Sequence, residues 1–201
     1  MVLNDVLDKI VKHEKLTEDE IEYALSFIRE TVINRLNNDF GNYRVRCQES
    51  SIYIADLSFK LDFAYYGFTT SSLSMKELYH HFGIIGFNGI NGPAWYLIDL
   101  TYEQFNTKKY PIYINNKSYN VVSPGEYISK ENKHQLIKKG YIKLTKSNFL
   151  DYIDSFMRSY SIKLSVDKDA VYNKLLSEFN ELRININDDD KNSLDTKRIK
   201  V

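Results

Sequence analysis

Two apolar runs joined by a turn-rich segment are the feature of this sequence that most constrains its fold. The first run covers residues 80–87 (HHFGIIGF), and the second covers residues 94–100 (AWYLIDL). The segment between them, residues 88–93 (NGINGP), is rich in the residue types that form tight turns. We therefore predict an antiparallel β-hairpin, in which the start of the first strand lies beside the end of the second.

The predicted hairpin brings an imidazole close to a carboxylate. His80 and His81 stand at the start of the first strand, and Asp99 stands near the end of the second. Because successive residues of a strand face opposite sides, only one of the two histidines should face the same site as Asp99. The spacing leaves open which one it is.

The single cysteine, Cys47, begins a long stretch without Gly or Pro that runs to about Tyr66. Apolar residues occur on nearly every side of this stretch, which predicts a buried helix that begins near Cys47. A sulfur at a helix N-terminus lies near unpaired backbone N–H groups and the positive end of the helix dipole, and both lower a thiol pKa. Thiol, imidazole and carboxylate together are the groups of a cysteine nucleophile and its base.

Helices are predicted before this region. Residues 2–12 are amphipathic, and Thr17-Glu-Asp-Glu20 has the spacing of a capping box. After the box, apolar residues recur at helical spacing to about Asn37. We predict an N-terminal helical cap, residues 1–39, that packs on the main body.

The second half of the chain is predicted to alternate short strands and helices, followed by a polar end. The expected elements are a hairpin over 110–122 turning at 115–117, a helix over 131–139 closed by Gly140, a strand over 141–144, a helix over 146–160 capped by Thr145, a helix over 167–183, and a polar segment after Asn185. The predicted division is an N-terminal cap over 1–39, a core over 40–165, and a C-terminal helix and polar tail over 166–201.

Charge and motif content exclude several function classes. Lys and Arg number 27, as do Asp and Glu, so the chain lacks the positive charge on which nucleic-acid binders depend. The two adjacent histidines diverge on a strand, so we predict no metal site, and no phosphate-binding glycine motif suggests a cofactor. One cysteine forms no internal disulfide, and the N-terminal segment resembles no signal peptide. No apolar stretch has the length of a membrane span, so we expect a cytoplasmic protein, or one exported without a cleaved signal peptide.

Residues 47–105 resemble the papain-like and transglutaminase-like cysteine enzyme superfamily. Cys47 matches its nucleophile at a helix start, and His80-His81-Phe82 matches its His-x-aromatic strand. Trp95-Tyr-Leu-Ile-Asp99-Leu-Thr101 is similar to its Trp-x-x-x-Asp-Pro-Thr strand, with Leu100 where Pro is usual. The pattern Asp-x-Thr-x-x-Gln-Phe, from Asp99 to Phe105, resembles bacterial toxin and effector deamidases and proteases. The resemblance implies an α+β fold, with a central Cys-bearing helix packed on an antiparallel sheet and with flanking helices.

The resemblance also implies roles for individual residues. Cys47 would be the nucleophile, His80 or His81 the base, and Asp99 the group that orients the base, with the His-x-aromatic pattern favouring His80. The oxyanion donors would be the backbone N–H of Cys47 and a side chain. The candidates for the oxyanion site and the pocket around it are Gln48, Asn42 and Trp95. Papain-type enzymes place a Gln several residues before the Cys, and none is present here.

The implied activity is acyl transfer from a peptide or protein amide through a thioester on cysteine. Hydrolysis by a cysteine protease, deamidation of a glutamine side chain and transglutaminase-like transfer to an amine all share this intermediate. The alternative is a catalytically degenerate member of the same fold that acts as a protein-interaction module. Two departures from the family pattern favour this alternative, namely Leu100 in place of Pro and the absence of a Gln before Cys47.

Overall fold

The computed structural model describes residues 3–69, 80–114 and 116–164, and for Ile114 and residues 161–164 it describes the backbone alone. These residues form an α+β fold. In chain order the elements are α1 (Leu3–Val11), α2 (Glu18–Phe40), α3 (Cys47–Leu61), β1 (Ala64–Thr69), β2 (His81–Gly89), β3 (Gly92–Ile98), β4 (Lys109–Ile114), β5 (Lys117–Val122), α4 (Lys130–Lys139), β6 (Tyr141–Lys143) and α5 (Lys146–Leu164). Short 3₁₀ helices cover Tyr102–Phe105 and Pro124–Glu126.

An antiparallel sheet of four strands, in the order β1-β2-β3-β6, forms the centre of the fold. The predicted hairpin is confirmed as β2 and β3, with Gly83 opposite Ile98 and Gly89 opposite Gly92. Its turn is shorter than predicted, because the second strand already begins at Gly92. Gly92 has a φ of 108°, a backbone conformation that glycine adopts readily and other residues avoid. This register places the residues before β2 level with those after β3.

The prediction of one buried helix from Cys47 to Tyr66 is wrong in two respects. The helix α3 ends at Leu61, where Asp62 takes a left-handed conformation with φ 58°, and the aromatic residues that follow form the edge strand β1. Its outer side is also open, since Ile52 is 54% exposed and Phe59 is 69% exposed. Apolar residues on every side of this helix therefore do not indicate burial on every side.

Alternating residues of the sheet pack on two different clusters. Ile85, Phe87, Tyr96 and Ile98 face the N-terminal helices. Phe82, Ile84 and Leu97 face α5, the 3₁₀ helix after β3 and the β4–β5 hairpin. The sheet is thus covered on both faces, and the period of two along β2 and β3 assigns each residue to one cluster.

The N-terminal helices pack on the sheet as predicted. The predicted apolar residues of α2 are all buried, namely Ile21, Ala24, Leu25, Ile28, Val32 and Leu36. The helix runs three residues past Asn37 and ends before Gly41, which adopts φ 73°. Leu16 also bonds the hairpin turn, because its N–H donates to the carbonyl of Asn88 (2.8 Å) and its carbonyl accepts from Ile90 (2.9 Å). The domain division proposed from the sequence stays a prediction.

The capping box supports a first quantitative prediction. Thr17 Oγ1 accepts from the N–H of Glu20 (3.2 Å), and Glu20 Oε2 accepts from the N–H of Thr17 (2.8 Å). Thr17→Ala should lower the free energy of unfolding by about 1 kcal/mol, because it removes the acceptor for one of these N–H groups. Urea denaturation measures the change, and Thr107→Ala is the control, since Thr107 caps no described helix. Equal stability of the Thr17→Ala variant and the wild type would contradict the prediction.

The predicted elements after the central hairpin are confirmed as far as Leu164. The hairpin over 110–122 is β4 and β5, Gly140 ends α4 in a left-handed conformation, and Thr145 Oγ1 accepts from the N–H of Asn148 (3.1 Å) at the start of α5. The predicted helix over 167–183 and the polar segment after Asn185 lie outside the described residues. Every helix in the described part of the chain is too short or too polar to cross a bilayer.

Candidate active site

Cys47 is the first residue of α3, and its position follows from the backbone before it. Arg46 has a non-helical conformation, and its carbonyl accepts from the N–H of Ser50 (2.8 Å) to begin the first turn. Cys47 is 9% exposed. Burial raises the pKa of its thiol, but the hydrogen bond and charge of His80, with a hydrogen bond from the His81 backbone, outweigh burial and leave the pKa below its ordinary value.

His80 lies directly before β2 and is 1% exposed. Its Nε2 lies 2.7 Å from Asp99 Oδ2, and its ring stacks on Phe156 with centroids 5.2 Å apart. Burial lowers the pKa of His80, but the charge and hydrogen bond of Asp99, and then Cys47, raise it to about 10. Since Nε2 is bonded to the carboxylate, Nδ1 is the nitrogen through which the ring would bond the thiol.

Asp99 follows β3 and is 2% exposed. Its Oδ2 accepts from His80 and from the hydroxyl of Tyr152 (2.8 Å), while its Oδ1 accepts from the backbone N–H and the hydroxyl of Thr101 (3.1 Å each). The backbone N–H of Asp99 donates to the carbonyl of Gly140 (2.7 Å), which ties this position to the loop before β6. Asp99 therefore both contacts the histidine and caps the turn that begins the 3₁₀ helix.

The structure brings Cys47, His80 and Asp99 together and places the ring of His81 in a different hydrogen bond. His81 Nδ1 lies 2.7 Å from Thr69 Oγ1 at the edge of the sheet, and the ring is half-buried. Burial lowers the pKa of His81, and the charge of His80 lowers it further. The geometry thus favours His80 as the partner of the thiol, and its role as base stays a prediction.

The three side chains suggested for the oxyanion site and its pocket lie in separate places. Gln48 is exposed on the first turn of α3, next to Cys47. Asn42 is exposed, and its Oδ1 accepts from the backbone N–H of Arg44 (3.0 Å). Trp95 covers Gly86 and stands four residues before Asp99, about 13 Å away along the strand. Trp95 therefore packs on the central sheet.

No family model, curated protein or solved structure matches this chain. The papain-like resemblance therefore stays a prediction.

Reasoning from the sequence missed a bridge between the two segments that carry Cys47 and Asp99. The hydroxyl of Tyr43 donates to Glu103 Oε2, and Arg44 forms an ion pair of 2.8 Å with the other oxygen of the same carboxylate. The hydrogen bond of Tyr43, and then that of Arg44, lower the pKa of Glu103 against its partial burial. This bridge joins the segment before α3 to the 3₁₀ helix after Asp99. Tyr43 and Arg44 are about sixty residues from Glu103, and no motif in the sequence indicates that these residues interact.

Reasoning from the sequence also missed the contribution of α5. Tyr152 bonds Asp99, and Phe156, one turn later, covers the ring of His80. A spacing of four residues indicates one face of a helix, which is also the pattern of ordinary core residues. Within the described residues, no group of three or more His, Cys, Asp or Glu side chains is arranged to hold a metal ion.

Proposed function

We propose that this chain is a cysteine-dependent acyl-transfer enzyme of the papain-like or transglutaminase-like kind, acting on an amide of a peptide or protein. The observation that carries the proposal is the position of His80, which is buried, hydrogen-bonded to Asp99 and close enough to Cys47 for each group to shift the pKa of the other. A buried imidazole and carboxylate are costly to desolvate, and such clusters with shifted pKa values are concentrated at catalytic sites.

The shifted pKa values support a resting state in which the proton of the thiol is held by His80. Against the effect of burial, Asp99 and Cys47 raise the pKa of His80 to about 10, and His80 lowers the pKa of Cys47, so both shifts favour a pair of thiolate and imidazolium. The thiolate sulfur attacks the carbonyl carbon of the amide, and the carbonyl oxygen takes up the negative charge. The backbone N–H of Cys47, among the unpaired amides of the first turn of α3, is a donor for that oxygen.

Collapse of this intermediate breaks the carbon–nitrogen bond and leaves a thioester on Cys47. His80 gives its proton to the departing nitrogen, which leaves as an amine or, from a glutamine side chain, as ammonia. Water or an amine then attacks the thioester, and the sulfur leaves as thiolate while His80 recovers a proton from the attacking group. Proteolysis, deamidation and transamidation are therefore the same reaction with different leaving and entering groups.

The pH dependence of thiol alkylation tests the proposal. The chain has one cysteine, so the rate of reaction with iodoacetamide reports on Cys47 alone. We expect an apparent pKa clearly below the value of about 8.5 for a free thiol, because His80 stabilises the thiolate. The urea-unfolded chain is the control and should titrate near that ordinary value. A native pKa near the ordinary value, or a native thiol that does not react, would overturn the proposal.

A protein-interaction module is the second candidate function. It is favoured by apolar side chains left open beside the site, since Val45 is 61% exposed and Phe40 is 39% exposed. Such residues on a surface suit contact with a partner protein. The same alkylation experiment separates the two candidates, because a degenerate site requires no activated thiol.

A further inference from the structure

The helix α5 directs two side chains of one face at the pair formed by His80 and Asp99. Tyr152 is fully buried, and its hydroxyl donates to Asp99 Oδ2 over 2.8 Å. Phe156 follows one turn later and stacks nearly parallel on the ring of His80, with an interplanar angle of 9°. Each member of the pair is thus held by a residue more than fifty positions along the chain.

We propose that Tyr152 is a positioning residue, whose hydroxyl holds the Asp99 carboxylate charged and oriented so that His80 keeps the Cys47 thiol deprotonated. This inference deepens the proposed function and rests on it. It assigns Tyr152 no contact with the substrate.

Hydrogen-bond donors surround the carboxylate of Asp99. Each carboxylate oxygen accepts two hydrogen bonds, from the backbone and hydroxyl of Thr101 at Oδ1 and from His80 and Tyr152 at Oδ2. A carboxylate that is 2% exposed depends on such donors to remain charged. Burial raises the pKa of Tyr152 well above its ordinary value, and Asp99 raises it further, so the hydroxyl keeps its proton and acts as a donor.

Loss of one of these donors weakens the hold on the charge of Asp99. Without the Tyr152 hydroxyl, Oδ2 accepts from His80 alone, and the negative charge on Asp99 is less stabilised. The proton shared between His80 and Asp99 then shifts towards the carboxylate, and the imidazole loses part of its positive charge. The thiolate of Cys47 loses the counter-charge that lowers its pKa. A hydroxyl remote from the sulfur therefore sets the fraction of thiolate.

Tyr152→Phe removes this hydroxyl and keeps the ring in the core. We expect the alkylation pKa of Cys47 to rise by about one unit, the effect of losing one hydrogen bond to a charged group. The matched control is Tyr141→Phe. Tyr141 is also buried, and its hydroxyl also donates to a carboxylate, Glu22 Oε2 at 2.9 Å, but it belongs to the cluster of the N-terminal helices. The control should leave the alkylation pKa unchanged.

A merely structural role predicts a different result. If Tyr152 only fills the core, both variants lose some stability and neither moves the pH profile. If the wild type has a lowered alkylation pKa and the Tyr152→Phe variant has the same pKa, this inference is overturned and the proposed function stands. An ordinary pKa in the wild type would overturn both.

Nuclear magnetic resonance of the wild type keeps the inference testable if Tyr152→Phe does not fold. The hydroxyl proton of Tyr152 and the Nε2 proton of His80 donate to the same oxygen, so they are close enough for a nuclear Overhauser effect. Observation of that effect at neutral pH supports the shared carboxylate. The inference is overturned if the Tyr152 hydroxyl proton exchanges rapidly with water and shows no such effect, while the His80 proton is protected from exchange.

Discussion

His80→Ala is expected to reduce alkylation of Cys47 at neutral pH by about a hundredfold or more, the usual effect of losing a base in a thiol–imidazole pair. The loss follows from the position of the ring, because His80 is hydrogen-bonded to Asp99 and lowers the pKa of the Cys47 thiol. Without it, burial and the charge of Asp99 both raise the pKa of Cys47. The thiol would then be protonated across the neutral range.

The same substitution should destabilise the fold by about 3–5 kcal/mol, because it leaves the buried Asp99 without its charged partner. Urea denaturation at neutral pH measures this change. His81→Ala is the control at the adjacent position. It removes the hydrogen bond to Thr69 but keeps the backbone N–H that bonds the sulfur. Equal effects of the two substitutions on alkylation would contradict the assignment of His80.

Asp99→Asn is expected to lower thiolate formation and any turnover by about a hundredfold or more, by reversing the tautomer of the histidine. An asparagine amide group at the position of Oδ2 is a donor, so Nε2 of His80 must become an acceptor. The single ring proton then moves to Nδ1, the nitrogen through which the ring would bond the thiol. In that state the imidazole has no site to receive the thiol proton.

Stability should change by a smaller amount than in His80→Ala. An asparagine Oδ1 still accepts from Thr101, so the turn after β3 keeps its cap. The Tyr152 hydroxyl faces a donor where it had an acceptor, which costs about 1–3 kcal/mol. Alkylation kinetics and urea denaturation give the two effects separately. If the Asp99→Asn variant were alkylated at the wild-type rate at slightly acidic pH, Asp99 would have no part in activating the thiol. The site would then be a pair of Cys47 and His80.

Local signals in the sequence account for the elements that were predicted correctly. The turn residues between the two apolar runs, the capping box at Thr17 and the glycine after α4 each act within a few neighbouring residues. Such interactions are formed by the backbone and the nearest side chains, so their outcome depends little on the rest of the fold.

The end of α3 was not predictable in this way. The residues after Leu61 suit either a helix or a strand, and pairing of β1 with β2 favours the strand. The exposed side of α3 was missed for a related reason. Ile52 and Phe59 are apolar and could be buried, but both are exposed, because the packing of neighbouring elements decides which apolar residues are covered.

The sequence by itself determined that a thiol, a histidine pair and a carboxylate are present, and that a hairpin places the last two groups side by side. Only the tertiary structure decided that His80, rather than His81, bonds Asp99, and that α5 supplies Tyr152 and Phe156 to hold them. The hairpin follows from turn chemistry over a few residues. The choice of histidine and the approach of α5 depend on how distant elements pack on each face of the sheet, and spacing along the chain carries no record of that packing.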